Sequence, residues 1–158
     1  MTDSRLRRSA SVVGAGLLGT RIGLGLRARG VDVVLDDASP TNVSIAVDYG
    51  AGRAAVGEDV EPVLVVVCVP PDVTAAIVAC ELDRFPNAVV TDVASVKQPV
   101  LRALEAAGAD VSRYVGSHPL AGRERGGPLA GRADLFLGRP WVVSAHEGTG
   151  YERSAVVE

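Results

Sequence analysis

The chain has 158 residues, a formal charge of −3 and 47% apolar residues, the size and composition of one globular domain with a real core. That balance excludes a disordered chain, and its mild acidity argues against a nucleic-acid scaffold. The longest apolar run, residues 63–69, is far too short to span a bilayer.

Arg5-Leu6-Arg7-Arg8 has the look of a basic signal start, but the apolar stretch behind it is rich in glycine and is not a signal core. Residues 1–10 are therefore taken as an N-terminal extension. In residues 11–30 a short β-branched run, Val12-Val13, leads into Gly14-Ala15-Gly16-Leu17-Leu18-Gly19, and a helical apolar pattern follows at once. A G-x-G-x-x-G after a strand and opening a helix is the dinucleotide-binding arrangement. Gly14 allows the tight turn, Gly16 lets backbone approach a pyrophosphate, and Gly19 lets helix pack on sheet. The first-turn amides and the helix dipole then face the phosphates.

The helix is expected to run to about Arg29, with Leu18, Ile22 and Leu26 on one face and Gly30 stopping it. Gly23 and Gly25 inside it suggest close approach to a neighbour. Residues 31–37 read as the second strand, ending in Asp36-Asp37, about eighteen residues beyond Gly19, where this fold places an acid on the adenosine ribose. Asp37, at the very end of the strand, is the preferred ribose ligand and Asp36 the alternative. A carboxylate there accepts both ribose hydroxyls and repels a 2′-phosphate. No Arg follows closely, so NAD is favoured over NADP.

Ser39-Pro40 is a cap followed by a first-turn proline, starting a helix to about Tyr49. A weak strand follows at 53–56, and then the apolar run 63–69, ending at Pro70-Pro71. Asp72 is expected to cap the next helix, with Val73, Ala76, Ile77 and Cys80 turned inward. Residues 88–92 form another strand, followed by Ala94-Ser95-Val96-Lys97 and a helix holding Val100, Leu101 and Leu104, closed by Gly108. A short strand at 114–116 ends at Ser117-His118-Pro119. A long loop rich in Gly and Arg, 120–140, leads to a last strand, 141–144. The domain is bounded at 11–145, and 146–158 is a polar tail. Cys68 and Cys80 lie in apolar runs without C-x-x-C spacing and are expected to be buried, reduced residues of a cytoplasmic protein.

Strands and helices alternate, which predicts an α/β domain with a doubly wound, mostly parallel Rossmann sheet. Ligands of such sheets bind beyond the carboxyl ends of the strands. The glycine loop, Asp37, Pro70-Pro71, Ser95 and His118 all fall at such ends. His118 is a candidate proton acceptor for oxidation of an alcohol, because imidazole titrates near neutrality; a capping or hydrogen-bonding role is equally open to it. Ser95 is either a hydrogen-bond donor to substrate or an N-cap. Lys97 and the loop arginines Arg123, Arg125, Arg132 and Arg139 are candidates to meet an acidic substrate. His146, beside Glu147, is expected on the solvated surface. Neither a metal-ligand spacing nor a G-x-S-x-G elbow is present.

The segments Val13 to Gly19, Cys68-Val69-Pro70-Pro71, Thr91-Asp92-Val93-Ala94-Ser95-Val96-Lys97 and Gly116-Ser117-His118-Pro119-Leu120-Ala121-Gly122 resemble prephenate dehydrogenase, close to arogenate dehydrogenase. Arg132-Ala133-Asp134-Leu135-Phe136 and Gly138-Arg139-Pro140-Trp141 resemble it too, so the likeness spans residues 12–143. It implies oxidative decarboxylation of prephenate by NAD to 4-hydroxyphenylpyruvate in tyrosine biosynthesis. It implies that His118 draws off the ring-hydroxyl proton and that Ser95 bonds that hydroxyl and His118. Gly14, Gly16, Leu17, Leu18 and Gly19 would bind the pyrophosphate, Asp37 the ribose, and Val69-Pro70 would lie along the cofactor. The family continues into a helical second domain that makes the dimer and supplies a substrate-binding arginine; that domain is absent from these residues. The expectation is NAD binding with little turnover unless a homodimer or another chain completes the site. A cofactor-binding module without turnover and a β-hydroxyacid dehydrogenase are the alternatives; the latter is expected to lack His-Pro-Leu-Ala-Gly.

Overall fold

A computed structural model of the chain describes residues 9–57, 61–120 and 140–157. The elements run β1 (Ser9–Val13), α1 (Leu17–Ala28), β2 (Asp32–Asp36), α2 (Pro40–Asp48), β3 (Arg53–Ala54), β4 (Leu64–Val67) and α3 (Pro71–Arg84). They continue with β5 (Val89–Asp92), α4 (Gln98–Ala106), a 3₁₀ turn (Val111–Arg113), β6 (Tyr114–Pro119), β7 (Trp141–Ser144) and α5 (Tyr151–Val157). The loop arginines Arg123, Arg125, Arg132 and Arg139 lie outside the described residues.

The strands form one sheet in the order β3-β2-β1-β4-β5-β6-β7. Every pairing is parallel except that of β6 with β7. This is the doubly wound, mostly parallel α/β sheet expected from the alternation of elements. The direction of winding reverses between β1 and β4, and the ligand crevice of such sheets opens at that reversal. The glycine loop leaves β1 there.

The period of two along the strands divides the core between two faces. Val12, Val33, Leu35 and Val66 pack with Ile22 of α1 and Ala46 of α2, whereas Val13, Val65, Val67 and Val90 pack with Val78, Leu82, Val100 and Leu104 of α3 and α4. Helix ends follow local chemistry. Ser39 Oγ accepts from the Asn42 amide at 3.4 Å with Pro40 next in line. Gly30 and Gly108 leave α1 and α4 at positive φ. The close approach expected of Gly23 is present, since a Cβ there would stand 2.5 Å from the Ala51 carbonyl oxygen; at Gly25 it would meet nothing within 4 Å.

Four local expectations are corrected. α3 buries Thr74, Val78, Glu81 and Leu82; of the residues expected inward, Ile77 packs partly buried against this core, whereas Val73, Ala76 and Cys80 do not. Cys80 and Val73 are exposed, and Cys68 is half-buried. Two polar residues disguise the inner stripe. Thr74 can be buried because its hydroxyl donates to the Pro70 carbonyl at 3.0 Å. The cap of α3 is Pro70 rather than Asp72, which sits in the first turn. His146 is not a solvated surface residue. Its Nε2 donates to the carbonyls of Val111 (2.9 Å) and Tyr114 (3.1 Å), and its Nδ1 accepts from the Gly148 amide at 3.1 Å. The tail that it anchors carries α5, whose Arg153 bonds the Ser112 carbonyl.

Candidate nucleotide site and active site

The glycine loop is shaped by backbone contacts. Gly14 has a φ of +97°, and its amide donates to the Asp36 carbonyl at 2.8 Å. A Cβ at Gly14 would lie 2.3 Å from the Cys68 carbonyl oxygen, and one at Gly19 would lie 1.8 Å from the Gly14 carbonyl oxygen. Both glycines are therefore demanded by the fold. Gly16 is different: a Cβ there would meet nothing within 4 Å. It caps α1 without a side-chain hydrogen bond, and the first turn holds no acid. Unsatisfied amides and the positive end of the dipole thus face open space over a residue with no side chain, which fits a pyrophosphate.

Asp37, not Asp36, is the carboxylate that touches this loop. Its Oδ2 accepts from the Ala15 amide at 2.7 Å and its Oδ1 from the Ser39 amide at 2.7 Å. One carboxylate thereby ties the glycine turn to the cap of α2. Asp36 points to the other face of the sheet and pairs with Arg84 at 3.3 Å. Val69 and Pro70 follow β4 beside the turn, and Val69 Cγ1 lies 3.3 Å from the Gly14 Cβ position. The Cys68 thiol is pushed up to about 12 by burial and by the Asp92 charge; at neutral pH it is an inert thiol.

The second group lies where β5 and β6 end side by side. His118 Nδ1 is 3.0 Å from the Val93 carbonyl oxygen. A carbonyl only accepts, so the neutral ring carries its proton on Nδ1 and presents a lone pair at Nε2. Ser95 is exposed in the loop between β5 and α4. The cap of α4 is Lys97, so Ser95 is not the N-cap that its position before a helix suggested. No hydrogen bond joins Ser95 to His118 in this structure, although both stand on the same edge of the sheet.

Lys97, a candidate to meet a substrate carboxylate, places its ammonium on Asp92 Oδ2 at 2.5 Å. Burial pulls its pKa down, against the pull of Asp92 in the other direction. Asp92 is wholly buried. Its Oδ1 accepts from the Tyr114 hydroxyl at 2.7 Å and its Oδ2 also accepts from the Ala94 amide at 3.1 Å. Burial, followed by the Asp92 charge, raises the Tyr114 hydroxyl well above its ordinary value. Neither Asp92 nor Tyr114 has a role that the sequence alone assigns; a lone acid closing the strand 88–92 was the one signal available.

A cavity of about 350 Å³ lies towards the amino ends of β4 and β5, bounded by Ser11, Val34, Asp36 and Arg84 and by Pro62 and Ala88. None of the glycine loop, Ser95 or His118 lines it. Among the described residues no three His, Cys, Asp or Glu side chains converge as metal ligands, and no helix is long and apolar enough to cross a membrane.

The family profile described as prephenate dehydrogenase, nucleotide-binding domain, matches residues 22–158. The chain belongs to the prephenate dehydrogenase family. The profile match begins beyond Gly19, so the geometry of the glycine loop is an independent observation. Over 143 residues the chain is 47% identical to the probable prephenate dehydrogenase NovF of Streptomyces niveus, covering 90% of this chain and 39% of that one. Among solved structures it resembles the prephenate dehydrogenase of Aquifex aeolicus in complex with hydroxyphenyl propionate and NAD+. That match has a TM-score of 0.83 and 27% identity over 99% of this chain and 56% of the other. The arogenate dehydrogenase of Synechocystis matches with a TM-score of 0.79 and 26% identity, over 94% of this chain and 54% of the other. The chain thus spans about two-fifths of its curated relative and about half of these solved ones.

Proposed function

We propose that this domain binds NAD and supplies the base for oxidative decarboxylation of prephenate to 4-hydroxyphenylpyruvate. The observation that carries the chemistry is His118, with Nδ1 on the Val93 carbonyl and Nε2 presented at the carboxyl edge of the sheet. The cofactor assignment rests on the open space over Gly16 and on the Asp37 carboxylate beside it.

Gly14 to Gly19, with Leu17 and Leu18 at the helix start, hold the pyrophosphate on backbone amides. Asp37 accepts the ribose hydroxyls, and its negative charge repels a 2′-phosphate, which selects NAD over NADP. Val69 and Pro70 form an apolar wall along the cofactor. When bound, the nicotinamide supplies the hydride acceptor. His118 Nε2 accepts the proton of the substrate's ring hydroxyl as hydride departs from the carbon that bears it. Ser95 bonds the same hydroxyl. Loss of CO₂ leaves an aromatic ring and makes the step downhill, so these side chains mainly orient the reacting groups.

Lys97 is committed to Asp92, so the substrate carboxylates fall to residues outside those described, such as an arginine of the helical second domain that the family resemblance implies. A homodimer or a partner chain would complete the cleft. The free thiols Cys68 and Cys80 support a cytoplasmic setting. The test is a titration of the chain with NAD and NADP, followed by an assay for prephenate-dependent NADH formation. NAD preference with turnover lost in His118→Ala supports the whole reading. NAD binding without turnover confines it to a cofactor module, arogenate-dependent turnover redirects the substrate, and absence of NAD binding overturns it.

A further inference from the structure

Asp92 holds three donors on its carboxylate, and it does so without reaching the surface. Its carboxylate takes the Tyr114 hydroxyl, the Lys97 ammonium and the Ala94 amide. Its main-chain oxygen accepts from the Ser117 hydroxyl at 3.0 Å, and that hydroxyl lies 2.9 Å from Thr91 Oγ1. The peptide segment 92–94 is therefore pinned on both sides of Val93. The Val93 carbonyl, held between those pins, is the group that meets His118 Nδ1.

We propose that Asp92, clamped by Tyr114 and Lys97, is a positioning residue that holds the Val93 carbonyl and thereby keeps His118 in its Nδ1–H form with Nε2 as the base. The device differs from a carboxylate placed directly on an imidazole, because the charge acts one peptide unit away and never touches the ring. Gly116 belongs to it. A Cβ there would stand 2.8 Å from Lys97 Cδ and 3.1 Å from the Tyr114 hydroxyl, so any larger residue would make the lysine shift from its path across β6 to Asp92. Residues 92, 97, 114, 116 and 118 act together: the acid sets the loop, the loop sets the carbonyl, and the carbonyl sets the tautomer.

This deepens the reading of His118 as the base and rests on it. Its test uses no substrate, so failure of the dehydrogenase assay and failure of the clamp are separate results. The full chain is labelled with ¹⁵N-histidine and the ring tautomers are read from two- and three-bond ¹H–¹⁵N correlations above neutral pH. His118→Ala assigns the signals, since the chain has two histidines. The wild type is expected to hold His118 as Nδ1–H. Tyr114→Phe, which keeps the packing volume, and Lys97→Met each lower the ratio of Nδ1–H to Nε2–H, by up to about tenfold, the weight of one hydrogen bond. Asp92→Asn lowers it further. His146, with a tautomer set by other carbonyls, serves as the internal control and stays as Nε2–H in all three variants. A wild-type His118 in the Nε2–H form overturns the proposal. So does an unchanged ratio in a folded Tyr114→Phe or Lys97→Met chain, whatever happens to the stability of Asp92→Asn.

Discussion

Replacing Gly14, Gly16 and Gly19 by alanine, one at a time, separates what the fold needs from what a nucleotide needs. A Cβ on Gly14 enters a backbone conformation at φ +97° and would stand 2.3 Å from the Cys68 carbonyl oxygen. A left-handed residue with a side chain costs about 1–2 kcal/mol, and an overpacked contact about 1–3 kcal/mol more. Gly14→Ala is therefore expected to lose about 2–5 kcal/mol, and Gly19→Ala, 1.8 Å from a carbonyl oxygen, at least as much. For a domain of this size each kcal/mol is about 2–4 °C of Tm, so both should melt roughly 5–20 °C early. Gly16→Ala meets nothing within 4 Å, and exchanging glycine for alanine at a helix N-cap costs about 1 kcal/mol or less. Its melting should shift by no more than about 4 °C. Yet the methyl group occupies the space over the first-turn amides, and NAD affinity should fall at least tenfold, about 1.4 kcal/mol. Differential scanning fluorimetry and calorimetric NAD titration of the three variants read both quantities. A Gly16→Ala chain that binds NAD like wild type, or that melts as early as Gly14→Ala, refutes the assignment.

Three further outcomes follow from the buried groups. Cys80 is exposed while burial pushes the Cys68 thiol up to about 12, so iodoacetamide at neutral pH should alkylate Cys80 first and Cys68 only on unfolding, as read by peptide mass. Glu81 is buried, and burial raises its pKa above 4.5 against the pull of Arg84. A raised carboxyl favours the fold below its unfolded value and loses that advantage as pH rises through the folded one. Glu81→Gln should therefore flatten the fall in stability above about pH 4.5, by roughly 1 kcal/mol in urea melts; an unchanged slope counts against it. His146→Ala removes two carbonyl bonds and the stacking on Tyr114, with ring centroids 6.3 Å apart. The loss should be about 1–2 kcal/mol, with faster proteolysis of the tail, and an unaltered digestion rate would show that α5 is held some other way.

The glycine-loop half of the candidate site was legible because backbone makes it. Glycine spacing, a strand before and a helix after, and an acid at the end of the next strand are all local, and the structure brings Gly14 to Gly19 and Asp37 together through bonds from Ala15 and Ser39. Secondary structure was legible for the same reason where Ser39-Pro40 and Gly30 punctuate it. The inner face of α3 was not, since a threonine that satisfies itself on Pro70 and a buried glutamate broke the apolar stripe.

The half of the candidate site around His118 is made by contacts between strands, which spacing does not reveal. Tyr114 meets Asp92 across 22 residues of sequence, and His118 meets Val93 across 25. Each pair exists only because β5 and β6 lie in register, with Asp92 opposite Gly116. The same register explains why one acid, silent in the sequence, holds so many donors: at the carboxyl end of β5 it is the last strand residue before the chain leaves the sheet, facing the side where Lys97 and Tyr114 converge. A charge placed there costs desolvation that only these partners offset. Its presence at the buried end of β5 is explained by what it holds in place rather than by the stability of the sheet.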